Sequence, residues 1–192
     1  MARPREFDLD TVLDAAMHTF WAKGYAATSM ADLMAAMDLH KGSIYKAFGD
    51  KHQLFLAALQ RYLDRAYAET QAMLDTGAPH DALRAWLLQE EHLRKAPSQQ
   101  MGCFAVNAVV ERAPHDAIVQ ERMAAHFSRV HAALIDTIQR GQADGSIRLD
   151  QSPQDIAAYL TTVSSGLMTV SRAAPDDITR QRIVDVAIQA IS

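Results

Sequence analysis

The chain holds 192 residues, 49% of them hydrophobic, with only 8 glycines and 6 prolines, enough apolar material to offset the entropy of ordering a globular fold. A net charge of −4 excludes a chain that coats nucleic acid nonspecifically, and the single cysteine, Cys103, excludes an internal disulfide or a thiolate zinc cluster. No apolar run approaches the roughly 18 residues that span a bilayer, and Arg3-Pro-Arg-Glu has no apolar stretch behind it, so a cytoplasmic protein with no membrane contact is expected.

Apolar residues recur at helical spacing throughout, and no stretch alternates apolar and polar as a half-buried strand does, so the expected fold is all-α with about nine helices. The first opens at Asp8, whose carboxylate caps free amides, and closes at Lys23-Gly24. Thr28 or Ser29 caps a second helix reaching about Met37; Asp38-Leu39 makes a tight turn; a third runs from His40 to Phe48. Lys51 begins a long helix to about Thr76, broken by Gly77-Ala78-Pro79. Helices at 80–95, 101–113, 115–143, 154–173 and 176–191 follow. The pattern divides the chain into a head, residues 1–50, and a larger helical body, residues 51–192.

Two short helices around a tight turn, with Leu33, Met37, Leu39, Ile44 and Phe48 between them, have the form of a helix-turn-helix. The second would expose His40, Lys41, Ser43, Tyr45 and Lys46, with Gly42 allowing close backbone approach to a phosphate or base edge. Residues 1–65 carry eight Lys or Arg against eight Asp or Glu, so this locally neutral head can still present a basic face. Spacing alone leaves open a pair of ordinary surface helices.

From about Phe7 to Leu56 the chain resembles the TetR/AcrR family of bacterial regulators. The resemblance is most specific through Gly24-Tyr-Ala-Ala-Thr-Ser and Lys41-Gly-Ser-Ile-Tyr-Lys-Ala-Phe-Gly-Asp-Lys-His-Gln-Leu-Phe. It implies a DNA-binding regulator, with operator double-stranded DNA contacted by Lys41 and Tyr45, phosphates by Thr28 and Lys51, and Gly42 at the approach point. Arg3 and Arg5 match loosely a basic arm laid in the minor groove. Asp38 stands where the family usually has glycine, and His40 where it usually has serine or threonine. The resemblance also implies a homodimer built on the last two helices, where Leu160, Val163, Gly166 and Leu167 form one stripe and Ile183, Ala187 and Ile191 another. On periodicity alone, an intramolecular core explains such stripes equally.

Met101-Gly-Cys-Phe-Ala-Val-Asn-Ala-Val-Val-Glu111 resembles a stretch in a TetR subgroup that includes repressors responding to electrophiles and oxidants. The implied effector is a small apolar or electrophilic molecule, sensed near Cys103, Asn107 and Glu111, with Trp86, Phe104, Phe127, Met123 and Tyr159 as apolar pocket candidates. Two readings of Cys103 stand open, a reactive thiol at a helix start and a small buried hydrophobe. Asn107 and Glu111 are equally a satisfied polar pair in a core. His115, His126 and His131 match no compact metal-ligand spacing, Glu90-Glu91-His92 has the pattern of a solvated helix face, and no nucleophile elbow, phosphate loop or paired-His motif marks an enzyme or a cofactor. The expected function is a repressor released from its operator by an effector; the alternatives are an effector-independent DNA-binding protein and a helical partner-binding protein without DNA activity.

Overall fold

Several of the expected helix starts are marked by a side chain that takes up free backbone amides. In the computed structural model, which describes residues 8–88, 101–173 and 177–192, Asp8 caps α1 (Leu9–Lys23) by accepting from the Asp10 amide at 3.2 Å. Gly24 ends that helix at φ 79°, a left-handed value natural to glycine. Ser29 rather than Thr28 caps α2 (Met30–Met37): its Oγ accepts from the Asp32 amide at 3.1 Å, and Asp32 returns the bond to the Ser29 amide at 2.8 Å. Lys23, 2.6 Å from Asp32, and Ser29 together hold that carboxyl well below the usual carboxylate range. Asp38 closes α2 in the left-handed region, φ 49° and ψ 43°, as its place in the turn requires.

Helix α3 spans Lys41–Phe48, and α4 spans Lys51–Leu74 behind an Asp50 cap, two residues short of the expected end. Then come α5 (Pro79–Leu88), with proline at its first position, α6 (Phe104–Glu111), a 3₁₀ turn at Ala113–His115, α7 (Ala117–Asp144), α8 (Pro153–Ala173) and α9 (Asp177–Gln189). Gly102 at φ 63° delays α6 to Phe104, three residues beyond the expected start. The described residues contain nine α-helices and no strand. Arg3 and Arg5, Glu90 to His92 and the end of the helix expected over 80–95 lie outside the described residues.

Two apolar cores form. The second joins α5, α7, α8 and α9 through residues such as Leu83, Leu134, Leu160, Val184 and Ile188. The first begins in α1 to α4, with Phe20, Leu33, Ile44, Phe55 and Leu59, and continues into Phe104, Ala108, Val119 and Met123. The three-helix head therefore shares its core with α6 and α7. Phe55 meets Phe20, Tyr25 and Phe104 edge-on at centroid distances of 5.2, 4.9 and 5.9 Å.

Asp38 is the one non-glycine residue at positive φ among the described residues, so relieving it tests the turn directly. Asp38→Gly is expected to stabilise the fold by about 0.5–1 kcal/mol and Asp38→Val to destabilise it by more, read from urea unfolding midpoints. A glycine variant that unfolds at lower urea would place the turn's support elsewhere.

Candidate nucleic-acid interface and ligand cavity

Ile44 is wholly buried and anchors α3 against the head, which leaves His40, Lys41, Gly42, Tyr45 and Lys46 exposed and Ser43 half-buried. Lys41 Nζ lies 5.5 Å from the centre of the Tyr45 ring. His40 occupies the N-cap without a side-chain cap bond, so its imidazole remains directed by nothing within the helix start. A Cβ on Gly42 would meet no protein atom within 4 Å, so nothing inside the fold demands glycine there.

Two residues expected on this face are turned inward. Thr28 is 1% exposed, and its hydroxyl donates to the Gly24 carbonyl at 2.6 Å, closing the α1–α2 loop instead of reaching out. Lys51 donates to the Tyr25 carbonyl at 2.7 Å and lies 4.5 Å from the centre of its ring; burial, opposed by Glu111, draws its pKa down. The Tyr25 carbonyl lies in the loop beyond α1, outside any helical ladder, and a lysine at the start of α4 supplies its donor.

The same loop meets the body. Glu111, expected to face a ligand or pair with Asn107, spans the boundary: its Oε2 accepts from the Tyr25 amide at 2.9 Å and its Oε1 from the Ala26 amide at 2.8 Å. The Arg112 guanidinium lies 4.5 Å from the Tyr25 ring centre and donates to Asp116 at 2.9 Å, and His52 Nε2 stands 2.7 Å from the same carboxylate. Burial raises the Asp116 pKa, but Arg112 and His52 outweigh it and hold the carboxyl at about 2. Trp21 Nε1–H donates to the Gly102 carbonyl at 2.9 Å, and Arg122 to the Leu56 carbonyl at 2.7 Å.

A cavity of about 490 Å³ opens between head and body. Its wall includes Met17, His18 and Trp21 of α1, Tyr62, Ala66 and Thr70 of α4, Trp86, Cys103, His126 and Phe127 of α5 to α7, and Ser164 and Met168 of α8. Trp86, Phe127 and Cys103 are legible as candidates in the sequence. Phe104 is not on the wall: it is 2% exposed, packed against Trp21, Phe55 and Tyr62 in the shared core. Asn107 turns back to donate to the Met101 carbonyl at 2.8 Å and is absent from the wall. Tyr159 is exposed on α8, and Met123 packs in the shared core. The α1 residues escape sequence reasoning because their spacing fits the head's own core; His18 and Trp21, one turn apart, are the available signal. Cys103 Sγ lies 3.4 Å from the Tyr62 hydroxyl, whose pKa is raised by burial and then by the thiol. Trp86 Nε1 and His126 Nδ1 are buried without a hydrogen-bond partner, and burial, then Arg129, draws the His126 pKa down and favours its neutral form. Among the described residues no three His, Cys, Asp or Glu side chains converge, and no helix is long and apolar enough to cross a membrane.

On α8 and α9, Leu160, Leu167, Ala187 and Ile191 are buried in the protomer's own core, which removes them from any outer face. Val163 is half-buried, and Gly166 and Ile183 are exposed, joined by Tyr159, Val170, Ile178 and Val186, the last two more than 60% exposed. A Cβ on Gly166 would meet nothing within 4 Å.

A family model of bacterial regulatory proteins, tetR family, matches residues 12–58, and one of the tetracyclin repressor-like C-terminal domain matches residues 79–187. The chain is 28% identical to the uncharacterized HTH-type transcriptional regulator YezE of Bacillus subtilis over 100% of both chains. It is 29% identical to the HTH-type transcriptional repressor ComR of Escherichia coli, over 88% of this chain and 82% of that protein. It superimposes on a cysteine mutant of the TetR family transcriptional regulator CifR, complexed with 26-bp double-strand operator DNA, with TM-score 0.84 and 29% identity over 100% of both chains. With both halves matched in order and the helix-turn-helix in place, the chain belongs to the TetR family and is a DNA-binding transcriptional regulator.

Proposed function

We propose that residues 1–50 bind operator DNA through α3 and that residues 51–192 dimerise and sense a small effector, the whole acting as a cytoplasmic repressor. His40, Lys41, Gly42, Ser43, Tyr45 and Lys46 form the reading face; Thr28 and Lys51 shape the loop behind it. The observation that carries the sensing half is that α1 of the head forms part of the cavity wall, so an occupant touches the DNA-binding unit directly. A wall rich in methionine and aromatic rings, with the Trp86 N–H and neutral His126 Nδ1 unpaired, suits an uncharged, mainly apolar molecule bearing a hydrogen-bond acceptor. The thiol of Cys103 on the same wall favours a second reading, in which an electrophile adds to the sulfur and occupies the cavity covalently.

Removing Lys41 and Lys46 together should weaken operator binding and lower the slope of log affinity against log salt by about 0.9 for each phosphate that is no longer neutralised, read by fluorescence anisotropy across a KCl series. Lys51→Ala should leave that slope unchanged, since its ammonium is held by Tyr25. A slope unmoved by the double variant would place the DNA face elsewhere.

Effectors found by screening for operator release should lose about tenfold in potency with Trp86→Phe, which keeps an aromatic ring and deletes the donor. Undiminished potency would disprove the acceptor chemistry. If release instead requires Cys103, Cys103→Ser will bind operator and resist the electrophile, with no adduct by mass spectrometry.

The exposed apolar face of α8 and α9 suits a two-fold partner, because two heads must meet successive major grooves about one helical turn apart. Gly166→Trp, whose Cβ clashes with nothing in the protomer, should shift sedimentation from twice 21.2 kDa toward the single chain. A variant that remains dimeric would move the interface off this face.

A further inference from the structure

The loop from Gly24 to Thr28 sets where α2 begins and so how α3 is held. Three side chains fix it. Thr28 acts from within, on the Gly24 carbonyl; Lys51 acts from α4, on the Tyr25 carbonyl; Glu111 acts from the end of α6, on the Tyr25 and Ala26 amides. These two amides follow the end of α1, and a carboxylate with two oxygens serves both at once, each bond strengthened by the charge. The seat fits it closely: a Cβ on Gly24 would lie 2.9 Å from Glu111 Oε2, and at φ 79° the position favours glycine in any case.

Glu111 also belongs to an element with an end on the cavity. Helix α6 is eight residues, about 12 Å long, too short to bend appreciably. Its first turn and N-cap put Cys103, Ala105 and Val106 on the cavity wall, and the Gly102 carbonyl just before it is held by Trp21 of α1. The helix is thus tied to the head at both ends, by one indole bond beside the cavity and by a two-pronged carboxylate beside the recognition unit.

We infer that Glu111 is the positioning residue that makes operator affinity depend on the state of the cavity: with α6 seated, its carboxylate holds the α1–α2 loop in the shape that presents α3, and displacement of α6 breaks both bonds together. This rests on the reading that the head binds operator and that the cavity is the sensing site. Glutamine is the discriminating substitution, because its one carbonyl oxygen serves one amide while its NH₂ opposes the other donor.

Coupling of this kind is reciprocal, so it is measurable without an effector. Cys103, the chain's only cysteine, is buried at the N-cap of α6 on the cavity wall, and its alkylation by N-ethylmaleimide reports access to that end of the helix and of the cavity. In the full-length wild type, saturating operator should slow alkylation by about fivefold or more. In Glu111→Gln, bound to operator at saturation and melting within a few degrees of wild type, the slowing should fall below about twofold, and operator affinity should drop about tenfold. Equal slowing in wild type and Glu111→Gln, or no slowing in wild type, overturns the inference. Should the variant fail to fold, hydrogen exchange in the wild type decides: the Tyr25 and Ala26 amides should be protected to the same degree as residues 104–111 and gain protection with operator in step, and free exchange at both amides refutes the latch. Wild type that binds no operator would refute the DNA-binding reading itself, a failure seen in the anisotropy before any alkylation is measured.

Discussion

The edge-on packing of Phe55 against Phe20, Tyr25 and Phe104 is the contact on which the rest of the molecule depends. Phe20 and Tyr25 belong to α1 and its loop, Phe55 to α4, and Phe104 to α6. A unit of about 50 residues buries too little surface to be securely stable alone. By lending Phe104 and Ala108 to the head, the body completes that core, and the position of α6 becomes a condition of the head's stability.

The polar contacts at this boundary follow from the apolar one. With Phe55 and Phe104 in place, the loop after α1 lies against α4 and α6, and its backbone amides and carbonyls stand where helical partners have run out. Glu111 and Lys51 answer that need from neighbouring elements, while Arg112 lies over the Tyr25 ring; Asp116 gathers Arg112 and His52 and caps α7 at the same time. The cavity occupies the other side of the contact, where Trp21 and Tyr62 meet at a centroid distance of 5.2 Å. The cavity thus reaches the head itself, since Met17, His18 and Trp21 of α1 stand on its wall beside the shared aromatic core.

What the sequence disclosed was local chemistry. Asp8, Ser29 and Gly24 each act within a few residues of themselves, and the helix bounds they mark agree closely with the structure. What it withheld was the direction of long or bifunctional side chains whose partners lie far along the chain. Lys51 reaches back 26 residues and Glu111 about 86, and no periodicity encodes such a pair. The α8 stripe shows a different limit. At 3.6 residues per turn Val163 stands about 60° round the helix from Leu160, so one apparent stripe holds residues buried in the protomer's core and a half-buried one at its margin.

Two departures from the usual family residues acquire a physical sense together. Asp38 adopts the left-handed turn that glycine would take more easily, and its short polar side chain tolerates that conformation better than a branched one. His40, two residues later, occupies the cap of α3 without bonding its amides, beside exposed Lys41 and open Gly42. A hydroxyl in that position could turn back onto its own helix; an imidazole spans further and can donate or accept according to tautomer. The head thus keeps the fold of its family while carrying an imidazole at the exposed start of α3, where the family usually has a hydroxyl.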